Sequence, residues 1–321
     1  MLMRISFRYF AYWLALGALT AIILVACNTV NNTHVANNRP QAENCRVVKH
    51  RMGETCIPLN PQRVINLAPD NLANCWALGI RPIASPHPVN FPLPKYLQGK
   101  IDQVESVGGY VDPNLEKILR LKPDLIISGS ELTGIYKLLS HIAPTVVIRT
   151  DTASWIDIFD ELATVLDKEE VGKQLLNQYW RRVETLKAAL GARRKMMEVS
   201  VANTSSEYGI WAYGEGHFSG SVLKDIGLQR PKSQRVNLGY INNISQEKLS
   251  DIDGDVLFFV SWEREDDRKT LEKLKQNPLW SQLEVVQKNK VYVVGTHWHN
   301  SDIYAIDAIL DDLEKYLVNT L

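Results

Sequence analysis

The chain lacks most of the features that assign a protein at a glance. It has no net charge: 36 basic and 36 acidic side chains balance over 321 residues. It also has no basic block, so the electrostatic footprint of a nucleic-acid binder is missing. Its 18 glycines have no period, which excludes a collagen-like rod. Only one long uncharged apolar run occurs, which excludes a polytopic membrane protein. Four cysteines are present, and none of their spacings matches a zinc site. There is no Gly-x-Ser-x-Gly, so a serine hydrolase has no nucleophile elbow. What the chain does have is 45% hydrophobic content, which is normal for a packed protein and too high for a disordered one. The length suits about two domains.

The single apolar run reads as an address. Arg4 and Arg8 form a positive start, and Phe10 to Ala26 carries no charge. The run is short for a bilayer span and ends in Leu24-Val25-Ala26-Cys27. That ending resembles a bacterial lipobox, in which the cysteine thiol is acylated. Residues 1–26 are then expected to be a lipoprotein signal peptide, with Cys27 as the lipidation site and 27–44 as a lipidated tether rich in Asn and Thr. A plain cleaved signal peptide is the alternative. The expected location is the periplasm or the outer face of the cytoplasmic membrane. An exported compartment is oxidising, and Cys45 and Cys56 flank the turn signal Met52-Gly53-Glu54. They are read as a disulfide across a hairpin, with free thiols as the alternative. Cys75 lies in an apolar helical stretch as a buried thiol.

From Cys45 onward, short apolar runs alternate with helical patterns. Strands are expected at 63–67, 81–84, 124–127 and 145–148, with helices at 71–78, 114–121 and 135–141. The alternation predicts a parallel sheet with helices packed on it. The middle is different. One helix is expected at 154–166, followed by a long one at 168–195 with apolar residues at spacings of three and four. The alternation then resumes, with strands at 198–203, 209–213, 255–260 and 290–294. Helices are expected at 221–226, 246–251, 270–275 and 301–317. The expected fold class is α/β: two lobes with central β-sheets flanked by helices, joined by a single long helix, with a ligand cleft between them. The boundaries are 45–165 for the first lobe, 166–196 for the linker helix and 197–321 for the second lobe.

Several segments together carry a family resemblance. They are Pro61-Gln62-Arg63-Val64-Ile65, Ala77-Leu78-Gly79-Ile80, Pro113-Asn114-Leu115-Glu116-Lys117-Ile118 and Leu121-Lys122-Pro123-Asp124-Leu125-Ile126. Ile142-Ala143-Pro144-Thr145-Val146, Ile244-Ser245-Gln246-Glu247-Lys248-Leu249, Pro278-Leu279-Trp280 and Asn289-Lys290-Val291-Tyr292 follow in order. The set resembles the periplasmic siderophore- and cobalamin-binding proteins of ABC importers, over nearly all of 58–321. Around Trp211-Ala212-Tyr213 and Phe218-Ser219-Gly220 it is most similar to iron(III) dicitrate and ferric hydroxamate binders. The resemblance implies a bound Fe(III)-siderophore, an ABC permease as partner, a monomer and no catalysis or separate cofactor. It places Glu116 and Glu247 at the positions that dock on the permease, one per lobe. A carboxylate at a helix start is also favoured by the helix dipole.

Ligands of open α/β sheets sit at the carboxyl ends of strands. There the sequence offers Trp262, Trp298, Tyr213, Trp211 and Tyr110 as aromatic ligand contacts, with Arg264 as the cation. Core aromatic residues are common, so a packing role is the alternative for each. Gly214 to Gly220 reads as a strand–helix connector without phosphate-loop spacing. His297 and His299 would share a face if extended, as half of a metal site. Haem, cobalamin or a bare metal ion is therefore a second reading, and an exported hydrolase a third. Neither the siderophore class (hydroxamate, catecholate or citrate) nor the envelope type follows from the sequence.

Overall fold

The buried apolar runs assemble into two separate five-stranded sheets. The computed structural model describes residues 45–68, 70–87, 93–101, 104–150, 154–262 and 264–319. The signal segment, Cys27 and the whole tether to residue 44 lie outside the described residues.

A hairpin opens the described chain. Strands β1 (Cys45–His50) and β2 (Gly53–Pro58) pair antiparallel, and a disulfide joins Cys45 to Cys56. Gly53 in the turn has φ +126°, a backbone region open to glycine and little else. The first sheet is parallel throughout, in the order β5-β4-β3-β6-β7. Its strands are β3 (Val64–Asn66), β4 (Ala84–Ser85), β5 (Glu105–Ser106), β6 (Leu125–Gly129) and β7 (Thr145–Ile148). Every residue of β6 and β7 is buried, as expected of strands covered by helices on both faces. Those helices are α1 (Asn71–Ala77), α2 (Leu115–Arg120) and α3 (Tyr136–Ile142). Asn114 caps α2 by accepting the Lys117 N–H at 2.9 Å, and Lys122-Pro123 ends it.

The middle is helical, as its periodicity predicts. Ser154 caps α4 (Trp155–Val165) by accepting the Asp157 N–H at 3.1 Å. Helix α5 (Glu169–Leu190) is 22 residues long, about 33 Å. It is shorter than the run expected at 168–195. Gly191, at φ +57°, breaks it, and a short 3-10 turn follows.

The second sheet corrects an expectation. Its order is β10-β9-β8-β11-β12. Strands β8 (Val199–Ser205), β11 (Val256–Val260) and β12 (Val291–Val294) run parallel, but β9 (Gly209–Tyr213) is antiparallel to β8. Only residues 206–208 separate β8 from β9, and so short a link can only make a hairpin. Strand β10 (Tyr240–Ile244) adds a further antiparallel edge with a bulge. Its polar composition gave no signal in the sequence. Helices α6 (Phe218–Ile226), α7 (Glu265–Lys275), α8 (Glu284–Gln287) and α9 (Ile303–Leu313) complete the lobe. Gly227, at φ +85°, closes α6.

The two sheets share one continuous apolar core. It runs from Val64 and Ile127 of the first sheet through Phe159 and Leu186 to Val201 and Phe258 of the second. Polar contacts reinforce the same helices. The Tyr179 hydroxyl donates to Asp225 at 2.6 Å. Arg182 of α5 donates to Asp307 and Asp311 of α9. Helix α9 follows the second sheet in sequence, yet it packs on α1 of the first lobe as well as on α5 and α6.

A core shared in this way predicts one cooperative transition. Leu186→Ala should cost about 2–5 kcal/mol and shift the tryptophan-fluorescence and far-UV dichroism unfolding curves together. Two separated transitions would show instead that the lobes unfold independently.

Candidate functional site

The carboxyl ends of both sheets face one cleft. Its volume is about 1270 Å³. The first lobe contributes Asp70, Ser85, His87, Tyr96 and Tyr110. The second contributes Trp262, Arg264, Thr296, His297, Asn300 and Asp302.

On the second lobe, Trp262 lines the cleft and a cluster of rings packs beside it. The Trp262 and His299 rings meet edge-on with centroids 4.6 Å apart. His299 in turn lies 5.7 Å from Tyr240, which lies 5.1 Å from His217. Burial lowers the His299 imidazole to about 4 and pushes the Tyr240 phenol up to about 12. Both are neutral near pH 7, so this cluster behind Trp262 adds rings rather than charge beside Arg264, Asp311 and Asp312 of the lining. The Arg264 guanidinium sits over Trp262 at 5.7 Å, a cation–π arrangement at the cleft edge. Across the opening, Tyr110 is 46% exposed.

Three expected ligand contacts are core residues instead. Trp298 is fully buried and stacks on Phe258 at 4.3 Å. Its indole N–H donates to Asp312 at 2.9 Å. Trp211 is packed in the shared core. Tyr213 is buried behind the wall, with its hydroxyl 3.2 Å from His299 Nδ1 and 3.4 Å from the Asn203 amide. Trp211 lies within β9, Tyr213 at its end and Trp298 in a 3-10 turn beyond β12, and each ring is turned into the packed interior.

The two histidines read as half of a metal site do not share a face. His297 lies in a 3-10 turn, and its Nε2 lies 2.7 Å from Asp312, whereas His299 turns to Tyr213. Among the described residues, no three His, Cys, Asp or Glu side chains come together to hold a metal ion. Cys75 is buried, and burial pushes its thiol up.

The Gly-rich connector is explained by close backbone packing. A Cβ on Gly214 would stand 2.2 Å from the Leu238 carbonyl oxygen, and one on Gly220 would stand 2.3 Å from that of Gly214. His217 caps α6 by accepting the Ser219 N–H at 3.2 Å. Its Nδ1 also lies 2.9 Å from the Ser219 hydroxyl. Both residues are buried, so the pair serves the helix start and the back of the aromatic wall.

A polar latch at the cleft floor ties the lobes. The Tyr96 hydroxyl donates to Asp302 at 2.6 Å and accepts from the Asn300 amide at 2.6 Å. Ser301 donates to Asp70 at 2.8 Å, and the Ile303 N–H donates to Asn74 at 2.9 Å. Asp302 also caps α9 through the Tyr304 and Ala305 N–H groups. The sequence pattern did not reveal the latch. Asp302-Ile303-Tyr304-Ala305 was legible as a helix start, but Tyr96 sits in a segment without periodicity.

Glu116 and Glu247 are exposed, one on each lobe. Glu116 sits in the first turn of α2 and pairs with Arg120 at 3.1 Å, while Asn114 makes the cap. Glu247 lies in the first turn of a 3-10 segment, Gln246–Ile252.

Comparison with known proteins adds the following. A family model described as periplasmic binding protein matches residues 64–296. A Bacillus subtilis protein named "probable siderophore-binding lipoprotein YfiY" is 30% identical over 94% of this chain and 96% of its own. The Fe(3+)-citrate-binding protein YfmC of the same organism is 31% identical over 86% of this chain and 88% of its own. Among solved structures, Staphylococcus aureus SirA complexed with staphyloferrin B superimposes with a TM-score of 0.72 at 26% identity, covering 85% of this chain and 98% of that one.

The latch predicts a pH dependence. Burial raises the Asp302 carboxyl to about 7, whereas an unfolded aspartate titrates near about 3.9. Between those values the folded chain holds a proton that the unfolded chain has released, so stability falls as pH rises from about 4 to about 7 and then levels off. Asp302→Asn keeps the cap acceptor and removes the titration. Its melting temperature, relative to the wild type, should therefore climb across that window. Parallel pH profiles for the two proteins would remove Asp302 as the cause.

Proposed function

The chain belongs to the periplasmic binding protein family, and from that premise we propose that it captures an Fe(III)-siderophore complex outside the cytoplasmic membrane and delivers it to an ABC permease. The observation that carries this reading is the cleft. A volume of about 1270 Å³ suits a bulky chelate rather than a bare ion. Trp262 and Tyr110 offer aromatic faces able to cover a partly apolar ligand. Relatives named for siderophore and ferric citrate binding span almost the whole chain. The iron enters as part of the ligand, as cargo. The family is one of binding proteins, and the His217–Ser219 pair is accounted for by helix capping.

Trp262, Tyr110 and Arg264 are assigned to ligand contact, and Tyr240 and His299 join them. Tyr213 and Trp211 support the wall from behind, and Trp298 lies apart in the core. Cys27 is assigned to lipid anchoring, which leaves the folded part tethered at the membrane surface as a monomer. Lobes at 45–165 and 197–321, with 166–196 between them, are the working division of the fold. The shared core and the α5 and α9 contacts favour modest closure over a wide hinge motion. Glu116 and Glu247 are assigned to the permease. Exposed carboxylates, one per lobe, can register on paired arginines and report lobe spacing.

Two measurements test this. Titration of the full chain with ferric chelates should quench tryptophan emission saturably, and Trp262→Ala should weaken the best ligand at least about tenfold, or about 1.4 kcal/mol. Trp298→Phe should lower stability and leave affinity within about threefold, because that ring packs on Phe258. Response to haem or Zn²⁺ alone, with silence from every ferric chelate, would sink the siderophore reading. In the second measurement, Glu116→Ala and Glu247→Ala should leave chelate affinity unchanged and reduce iron uptake by cells. Normal uptake by the double variant would remove both residues from docking.

A further inference from the structure

A buried cation stands beside the rings that flank the cleft. Arg230 follows α6 and is 3% exposed. Burial lowers its guanidinium to about 9, so it stays charged near pH 7. Both groups it donates to are neutral: the Tyr213 carbonyl, and the Gln234 amide oxygen at 2.6 Å. Its Nε and Nη1 have no hydrogen-bond partner among the described residues. Glu215 attracts it through space, without a bond. A charge buried against neutral partners works against folding, so the fold alone does not account for this side chain.

Gln234 does not account for it either. That amide is already fixed, accepting the Val201 N–H at 3.2 Å and donating to Ser200 at 2.7 Å and to the Asp251 carbonyl at 3.2 Å. The bond to Tyr213 is what Arg230 adds. Tyr213 ends β9, one residue beyond the last pair with β8, Ala202 with Ala212. Clamping its carbonyl fixes the backbone from which the Tyr213 ring projects. The hydroxyl of that ring lies 3.2 Å from His299 Nδ1, and the His299 ring meets Trp262 edge-on. The Tyr213 ring also packs on His217 at 4.6 Å. The Arg230 charge opposes protonation of His217, so the same guanidinium keeps that imidazole an uncharged ring.

The next step rests on the siderophore reading above, in which Trp262 touches the chelate. We infer that Arg230 is a positioning residue for ligand capture: it sets the Tyr213 backbone and, through His299, the Trp262 ring that covers the cargo. Rings set before the ligand arrives leave more of its binding energy for affinity.

Arg230→Met tests this, because it removes the charge and the donors and keeps an unbranched side chain. The full chain and the variant are titrated at pH 7.5 with ferric hydroxamate, citrate and catecholate complexes, by tryptophan quenching well below the melting transition. The variant should melt no lower than the wild type, since an uncompensated buried charge has gone. It should bind the best chelate at least about tenfold more weakly. The second readout is the near-UV dichroism of Trp262, taken as the difference between each protein and the same protein carrying Trp262→Phe. That band should shrink in Arg230→Met, because a ring free to turn loses its fixed asymmetric surroundings. If the variant keeps its affinity, or loses it with the Trp262 band unchanged, the inference is overturned and the siderophore reading stands. A melting temperature that falls in step with affinity makes Arg230 a structural residue and also overturns it. If no ferric chelate binds the wild type, the siderophore reading falls, and the Trp262 band alone decides whether Arg230 sets that ring.

Discussion

The cleft depends on helix α9 being fastened at both faces. Its apolar side, Ile306, Ile309 and Leu310, is part of the core shared by the two sheets. Its polar side is held by Arg182 of α5 through Asp307 and Asp311. Its first turn is held by Asn74, Tyr96 and Asp70 of the first lobe, through Ile303, Asp302 and Ser301. The lobes are therefore not two bodies on a flexible cord. An element that ends the second lobe in sequence belongs by packing to the first as well. The close-packed interior resists shear because any sliding of α9 opens voids on one side and clashes on the other. The opening between the lobes is preformed, and a preformed site spends less of its ligand's binding energy on ordering.

Behind the cleft, buried rings hold the exposed ones in place. Tyr213 and His217 pack against His299 and Tyr240, and His299 sets the edge of Trp262. Trp298 lies apart from them in the core, stacked on Phe258 with its N–H satisfied by Asp312. The ring cluster is left rigid, with little rotamer entropy to lose. The glycines at 214, 216 and 220 serve this arrangement. They let the 214–220 backbone lie against 236–239, which brings Tyr240 to the wall.

The acidic groups divide the same way. Those paired inside the protein, Asp307 and Asp311 with Arg182 and Asp312 with His297, shape the scaffold. Asp70 and Asp302 instead accept the Ser301 and Tyr96 hydroxyls and join the lobes.

By itself the sequence determined the layout. Apolar runs such as Leu125–Ile127, Thr145–Ile148 and Val256–Val260 had to be buried strands, and the three-and-four spacing from Val171 to Leu190 had to be a helix. The helix starts expected at 114 and 154 and the helix end expected at 226 are where the structure has them. These are local matters, since hydrogen-bond geometry and side-chain period are decided within a few residues. Only the tertiary structure decided which strand-end residues face the ligand. Trp262 and Trp298 look alike in sequence, yet one lines the cleft and the other is pinned under Phe258. His297 and His299, two positions apart, turn to Asp312 and Tyr213. The bond between Tyr96 and Asp302 joins residues 206 positions apart. The direction of a loop side chain is set by whatever distant segment packs beside it, and no local pattern encodes that neighbour.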